Sequence, residues 1–402
     1  VQSQSFSGLC KNPTGRWPNR NGNTPMPPVR YHHGKFPPSD LDWARIVPLI
    51  EPATLALGEF KGLLDAIPNP SVLLAPLTVQ EAVLSSRIEG TQATLGEVLE
   101  YEAGGDRPAS EQKLNDIQEV LNYRKAIFWA TERLTELPLC GRLLKETHAI
   151  LMDGVRGRDK DAGNYKKTPN AIGPPGCDLD NAKFIPIEPE KLEDGMRIWE
   201  NFLHSTQPNM LVQLGLVHAE FESLHPFLDG NGRLGRMILP LFLFERKMLN
   251  FPAFYLSEYL EAHKDEYTER LLAVSRDHDW TGWSLFFLNA LEQQARKNTR
   301  KARTIIELYE QRKSWIQEKA HSQYGIAIID SLFSQPIFKG TDLGAPQGVP
   351  APTRKRILRE IRDELLFEIR PASGPRPAIY AYQELMNIAE GKEIFSGSRN
   401  NH

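Results

Sequence analysis

Twelve consecutive residues, His225-Pro226-Phe227-Leu228-Asp229-Gly230-Asn231-Gly232-Arg233-Leu234-Gly235-Arg236, bring together an imidazole, a carboxylate, a carboxamide, two guanidinium groups and three glycines. That set suits attack on a phosphoanhydride. His225, with an ordinary pKa near ~6.5, accepts a proton from a hydroxyl nucleophile around neutral pH. Asp229 offers one hard oxygen ligand where a Mg²⁺ ion bridging phosphates would sit. Gly230 and Gly232 permit a loop whose N–H groups turn toward one point. The free amides and dipole of a helix beginning near Arg233 complete an anion site. Arg233 and Arg236, three apart, share a helical face and both reach phosphate oxygens. The segment lacks a nucleophile, which must come from the substrate.

Two apolar helical stretches must hold this loop. Leu214, Val217, Phe221 and Leu224 step at three and four residues, so a buried helix delivers His225 at its C-terminal end. Pro226 cannot continue that helix comfortably, and the chain turns. Gly230 to Gly235 also matches G-x-G-x-x-G, but it follows a helix instead of a strand, which argues against a dinucleotide fold. A lone histidine between apolar helices is usually packed core; here its acidic, basic and glycine neighbours point to chemistry.

The segment resembles the Fic family signature, HPFx(D/E)GNGRxxR, at every defining position. The resemblance implies an all-α core binding Mg-ATP, with His225 deprotonating a target hydroxyl for in-line attack on the α-phosphate. Asp229 would hold the metal, Asn231 and the amides of the Gly230–Gly235 stretch, including Gly232 and Leu234, the α/β-phosphates, Arg233 the β-phosphate and Arg236 the γ-phosphate. Phe227 would anchor the loop. The stretch Thr168–Ile187, two extended pieces around a Gly/Pro-rich turn, looks like the family's β-hairpin flap, which aligns a target by strand addition. Ile172 and Gly173 would border the nucleotide. Asp265-Glu266-Tyr267 with Leu271, Leu272 and Ser275 resembles the adenine-side helix, placing Tyr267 at the base. The likeness covers residues 40–290 and fades outside.

Ser85-Ser86-Arg87-Ile88-Glu89-Gly90 resembles the family's (S/T)xxxE(G/N) inhibitory motif. Ser85 and Glu89 share a helical face and Gly90 stops the helix. By that likeness Glu89 pairs with Arg236 and takes the space its guanidinium needs for the γ-phosphate. Breaking a buried pair of this kind costs about 3–5 kcal/mol, and a competent state disfavoured by ~2.7–4 kcal/mol holds apparent activity down ~100–1,000-fold.

Around this core, Thr78-Val79-Gln80-Glu81 and Thr94-Leu95-Gly96-Glu97 read as capping boxes opening two helices. The expected units are an N-terminal arm over 1–39, rich in Asn, Pro, Gly and Ser, and a helical region with the inhibitory helix over 40–133. A catalytic core over 134–296, a connecting helix and winged-helix-like domain over 297–390, and a tail over 391–402 follow. The C-terminal helix carries Thr353-Arg354-Lys355-Arg356, Arg359 and Arg362, diluted by Asp363, Glu364 and Glu368; it reads as a docking module for a target or partner, with DNA binding as the alternative.

With 402 residues, a quarter of them charged, and a net charge of −3, no global basic field recruits nucleic acid or an anionic membrane. The longest apolar run, Met237 to Phe244, is too short to span a bilayer, and Cys10, Cys140 and Cys177 fit no disulfide or metal spacing, so the chain reads as cytoplasmic. The expected activity is protein adenylyl transfer to a Ser, Thr or Tyr hydroxyl of a target or of the enzyme itself, braked by Glu89; the resemblance adds a homodimer. The rivals are AMP removal or transfer of another phosphate-bearing group by the same site, and a winged-helix regulator of DNA.

Overall fold

The computed structural model describes residues 27–394 apart from 68, 106–107, 109, 155–160, 175, 344–345 and 347. Cys10, most of the expected arm and the tail from 395 lie outside the described residues; Cys140 and Cys177 are free thiols.

Residues 27–39, assigned to the arm by composition, are docked on the core. β1 (Val29–Arg30) pairs in parallel with β2 (Phe184–Ile185). Tyr31 and His32 both reach the buried Glu220, and Phe36 packs edge-on against Phe202. Proline and polar residues masked three ring anchors in this stretch.

Helix α1 (Trp43–Ala66) is capped by Asp42 and buries Ile46, Ala53, Leu57, Phe60 and Leu64 along one stripe. After α2 (Pro70–Leu73), α3 (Ala75–Ile88) begins with Pro76 in its first turn, where a missing N–H is harmless. The expected capping box at 78–81 does not form, because Thr78 already lies inside the helix and donates to the Leu74 carbonyl. Glu81 instead accepts the N–H and hydroxyl of Ser257, thereby capping α10 (Ser257–Ala262). The box at 94–97 opens α4 (Leu95–Glu102) as expected. α5 (Glu111–Arg133) starts at a Ser110 cap, and α6 (Gly141–Leu151) follows.

The core continues with α7 (Pro189–His204), α8 (Met210–Leu224), α9 (Asn231–Glu245) and α11 (Lys264–Asp277). α8 is buried around nearly its whole circumference, so it lies at the centre, and its end holds His225. The flap is less regular than a hairpin. It has one antiparallel bridge, Ile172 to Phe184, and β2 turns its other edge to β1. Pro169 and Pro174 lack the N–H groups a longer ladder needs.

α12 (Trp280–Ala320) runs 41 residues without interruption, so the boundary expected at 296/297 falls inside one helix. No Gly or Pro occurs after Gly282 to break it. It leads to α13 (Gly325–Ser334), β3 (Ile337–Lys339), α14 (Ala351–Leu365), β4 (Phe367–Arg370), β5 (Ile379–Ala381) and α15 (Gln383–Glu390). The three strands form an antiparallel sheet in the order β3-β5-β4, with the expected hairpin. α15 packs on α12 and α3, and the apolar side chains of all these elements join one continuous core. Among the described residues no helix is long and apolar enough to cross a membrane.

Candidate active site

A cavity of about 660 Å³ opens between the flap, α11 and the start of α9. Ile172, Gly173, Tyr267, His225, Gly232, Arg236 and Glu89, all singled out by sequence, line it together with Glu222 and Lys264.

His225 is the C-cap of α8 and sits in the left-handed region at φ 48°, an uncommon state for a residue with a Cβ. Its N–H closes onto the Phe221 carbonyl, while the Asn170 amide donates to its carbonyl at 3.3 Å. The backbone is thereby fixed where the imidazole leaves the helix. Nδ1 lies 3.4 Å from the Glu222 carbonyl, which favours the tautomer with its proton there and a free lone pair on Nε2. Burial, helped by the Lys166 ammonium, pushes the imidazole down to about 4, so it is a neutral base at pH 7.

Gly230, at φ 77°, is the N-cap of α9 and supplies no capping side chain. The first amides of this helix, at Asn231, Gly232 and Arg233, therefore have no intrahelical acceptor and form an anion site. The Asn231 side chain is not free for a phosphate. Its amide donates to the Phe227 carbonyl and its oxygen accepts the Phe227 N–H, both at 2.8 Å, which locks the loop. Leu234 is fully buried and Gly235 packs against the Glu222 side chain, so both serve packing. Asp229 is half-exposed; its Oδ1 accepts the Gly230 N–H at 2.6 Å and lies 3.7 Å from Arg233. Arg233 is not among the cavity-lining residues, and its Nε and Nη1 are buried with no hydrogen-bond partner among the described residues.

Arg236 is held by the stretch 85–90. Its Nε donates to Ser85 Oγ at 2.9 Å, and Nη2 donates to the Ser85 carbonyl at 2.8 Å and to Glu89 Oε1 at 2.6 Å. Burial alone would push the Glu89 carboxyl up; Arg236, with Arg233 and His225, outweighs it and holds the group below its usual range. A Cβ placed on Gly232 would fall 2.2 Å from Glu89 Oε1. The carboxylate thus rests against the start of α9, where an anion would bind. Behind it, α3 ends in a Schellman motif, Gly90 N–H to Arg87 carbonyl and Thr91 N–H to Ser86 carbonyl. Lys264 Nζ caps the Ile88 carbonyl at 2.5 Å.

Tyr267 reaches the cavity wall, but its ring is buried beside Trp283 and Phe286, and its hydroxyl bonds His218 Nε2 at 2.9 Å. Glu222, Arg236 and Glu89 stand around it on the cavity side.

Four supports escaped the sequence reading. His148 stacks on Phe227 at 3.9 Å between ring centres, accepts the Gly163 N–H on Nδ1 and donates from Nε2 to the Asp229 carbonyl. Lys166, pushed down to about 7 by burial, donates to Asn170 Oδ1 and the Leu224 carbonyl. Glu119 lies 3.4 Å from Arg233. Glu222 is pushed up to about 7 by burial within the cavity. All sit on ordinary helical or loop spacings; Glu222 precedes His225 on α8, and only the fold brings the other three to the loop.

Known proteins place this arrangement. Models described as Fic/DOC family N-terminal and Fic/DOC family match residues 47–132 and 138–243. A probable protein adenylyltransferase of Aquifex aeolicus (strain VF5) is 31% identical over 96 residues, 24% of this chain. A Fido domain-containing protein of Dictyostelium discoideum is 41% identical over 64 residues, 16% of the chain. The chain spans only 30% and 40% of the length of these two relatives. The crystal structure of a Fic family protein from Desulfovibrio desulfuricans G20 superposes with a TM-score of 0.54 at 21% identity, covering 84% of this chain and 95% of that one, which shows a shared fold. With the signature intact and both models matching in sequence order, the chain is a member of the Fic/DOC family.

Proposed function

We propose that the chain is a protein adenylyltransferase that transfers AMP from ATP to a hydroxyl of a target protein and is braked by Glu89. The observation that carries this reading is a half-buried imidazole, its pKa lowered by its surroundings, beside an uncapped helix N-terminus and Arg236 in one cavity. The target oxygen attacks the α-phosphorus, its proton passes to His225 Nε2, and the bond to the β-phosphate oxygen breaks to release pyrophosphate. The amides of α9 and the arginines stabilise charge on the phosphates. Among the described residues no group of three or more His, Cys, Asp or Glu could cage a metal. Asp229 alone fits a Mg²⁺ ion that arrives on the nucleotide, since Mg²⁺ takes one or two carboxylates, phosphate oxygens and water, and it would neutralise phosphate charge. Glu89 opposes this by neutralising Arg236 and lying over Gly232. The relative named as a probable protein adenylyltransferase supports the reaction class.

The test is incorporation of label from α-labelled ATP into a lysate and into the enzyme itself. Glu89→Gly is expected to raise it sharply and His225→Ala to abolish it in that background. Equal incorporation by wild type and Glu89→Gly refutes the brake; label surviving His225→Ala refutes the base. Mass spectrometry of the product shows whether the added group is AMP.

A further inference from the structure

A second carboxylate of the N-terminal region lies behind the phosphate cradle. Glu119, on α5 and 5% exposed, accepts the Thr91 hydroxyl on Oε2 at 2.7 Å, and the same oxygen lies 3.4 Å from Arg233 Nη1. One turn earlier on α5, Asp116 accepts the Gln92 N–H at 2.9 Å. The two residues that follow Gly90 are therefore both pinned to α5, and Arg233 is pinned to the same ledge.

The Arg233 guanidinium has few other contacts. Nη2 lies 3.7 Å from Asp229 Oδ1 and 3.8 Å from Met152 Sδ. Nε and Nη1 are buried with no hydrogen-bond acceptor among the described residues. A buried donor left so costs about 1–3 kcal/mol, and a carboxylate at 3.4 Å compensates the charge without satisfying those N–H groups. Such a group is held ready for an anion beside Asp229 and the start of α9.

Resting on the nucleotide-transfer reading, we infer that Glu119 is a positioning residue for nucleotide binding. It holds Arg233 against the start of α9 so that its unsatisfied donors meet the second phosphate of a nucleoside di- or triphosphate. Thr91 fixes the carboxylate from the opposite side, so this ledge sets the arginine and the braking corner together. The role is specific to the second phosphate: a nucleoside monophosphate has nothing at that place for Arg233 to hold.

Titration calorimetry of the full chain carrying Glu89→Gly, with ADP and with AMP as probes, tests this. Adding Glu119→Ala is expected to weaken ADP about tenfold and to leave AMP within twofold. Adding Glu119→Gln, whose amide oxygen still accepts from Thr91, is expected to recover part of the ADP loss. Thermal unfolding of each variant identifies loss of fold; an unfolded Glu119→Ala protein leaves the Glu119→Gln comparison of ADP against AMP to decide. Unchanged ADP affinity, or an equal fall for AMP, overturns the assignment while the transfer reading stands. Failure of the Glu89→Gly parent to bind either nucleotide overturns both.

Discussion

His225 is charged or neutral according to what surrounds it, and here burial and the Lys166 ammonium push it down to about 4 while Glu89 pulls the other way. Accepting a proton needs the neutral form, so activity is present above that value and lost as pH falls through it. In Glu89→Gly the opposing carboxylate is gone, which favours the neutral form further. The acid limb of kcat/KM for that variant is expected at about pH 4 or below, well under an ordinary histidine near ~6.5; a limb at 6.5 or above contradicts the environment described. The proposed brake has a magnitude at this scale too. Arg236 is 2% exposed but the Glu89 side chain is 40% exposed, so the pair is only half-buried. That places its rupture between surface and buried limits, at about 2–3 kcal/mol, and Glu89→Gly should raise AMP transfer about 30- to 150-fold, less than a fully buried pair would give. The signature itself was legible because base, loop and arginines are contiguous. Glu119, His148 and Lys166 were not, since each reaches the loop from an element distant in the chain. Asn231 was legible as a site residue but not in its task, because only the folded loop shows both its polar atoms turned onto Phe227.

Among the elements, α3 bears most directly on the proposed brake. Almost every residue from Pro76 to Ile88 is buried, so the helix cannot peel away to release Glu89 without opening the core. Release has to occur in the corner after it. Gly90 sits there at φ 101°, where a side chain would be strained even though the space is open. Gly90→Ala is expected to strain the corner by about 1–3 kcal/mol, lowering the thermal midpoint and raising AMP transfer at least threefold; a lower midpoint with unchanged transfer would show that the corner does not set the brake. The stop at Gly90 and the box at Thr94 could be read directly, each being a local pattern. The false box at Thr78 has equal local merit, and Pro76 two residues earlier decides against it. The flap was legible as two extended pieces, but its partner strand comes from residues 29–30, which no local pattern links to residue 184.

At the scale of the whole molecule, α12 runs as one continuous rod from the helical core to the C-terminal elements, and α15 returns to touch α3. Composition had set a boundary along that rod because its surface becomes highly charged, yet charge on an exposed face does not interrupt a helix. The opposite end of the chain had been set aside for its prolines, although His32 bridges Glu220 on α8 and Ser275 on α11, both at 2.8 Å, while β1 holds β2. His32→Ala is expected to speed amide exchange at Phe184 and Ile185 and around Ser275, with α14 unaffected; uniform exchange changes would mean only general loosening. The consequence concerns entry to the cavity. Flap and α11 form its two lips; β1 holds the flap strand, and the neighbouring His32 imidazole ties α11 to the central helix, so one short segment links both lips. On the proposed transfer reading, a mouth tied in this way favours a slender extended target segment over a folded surface.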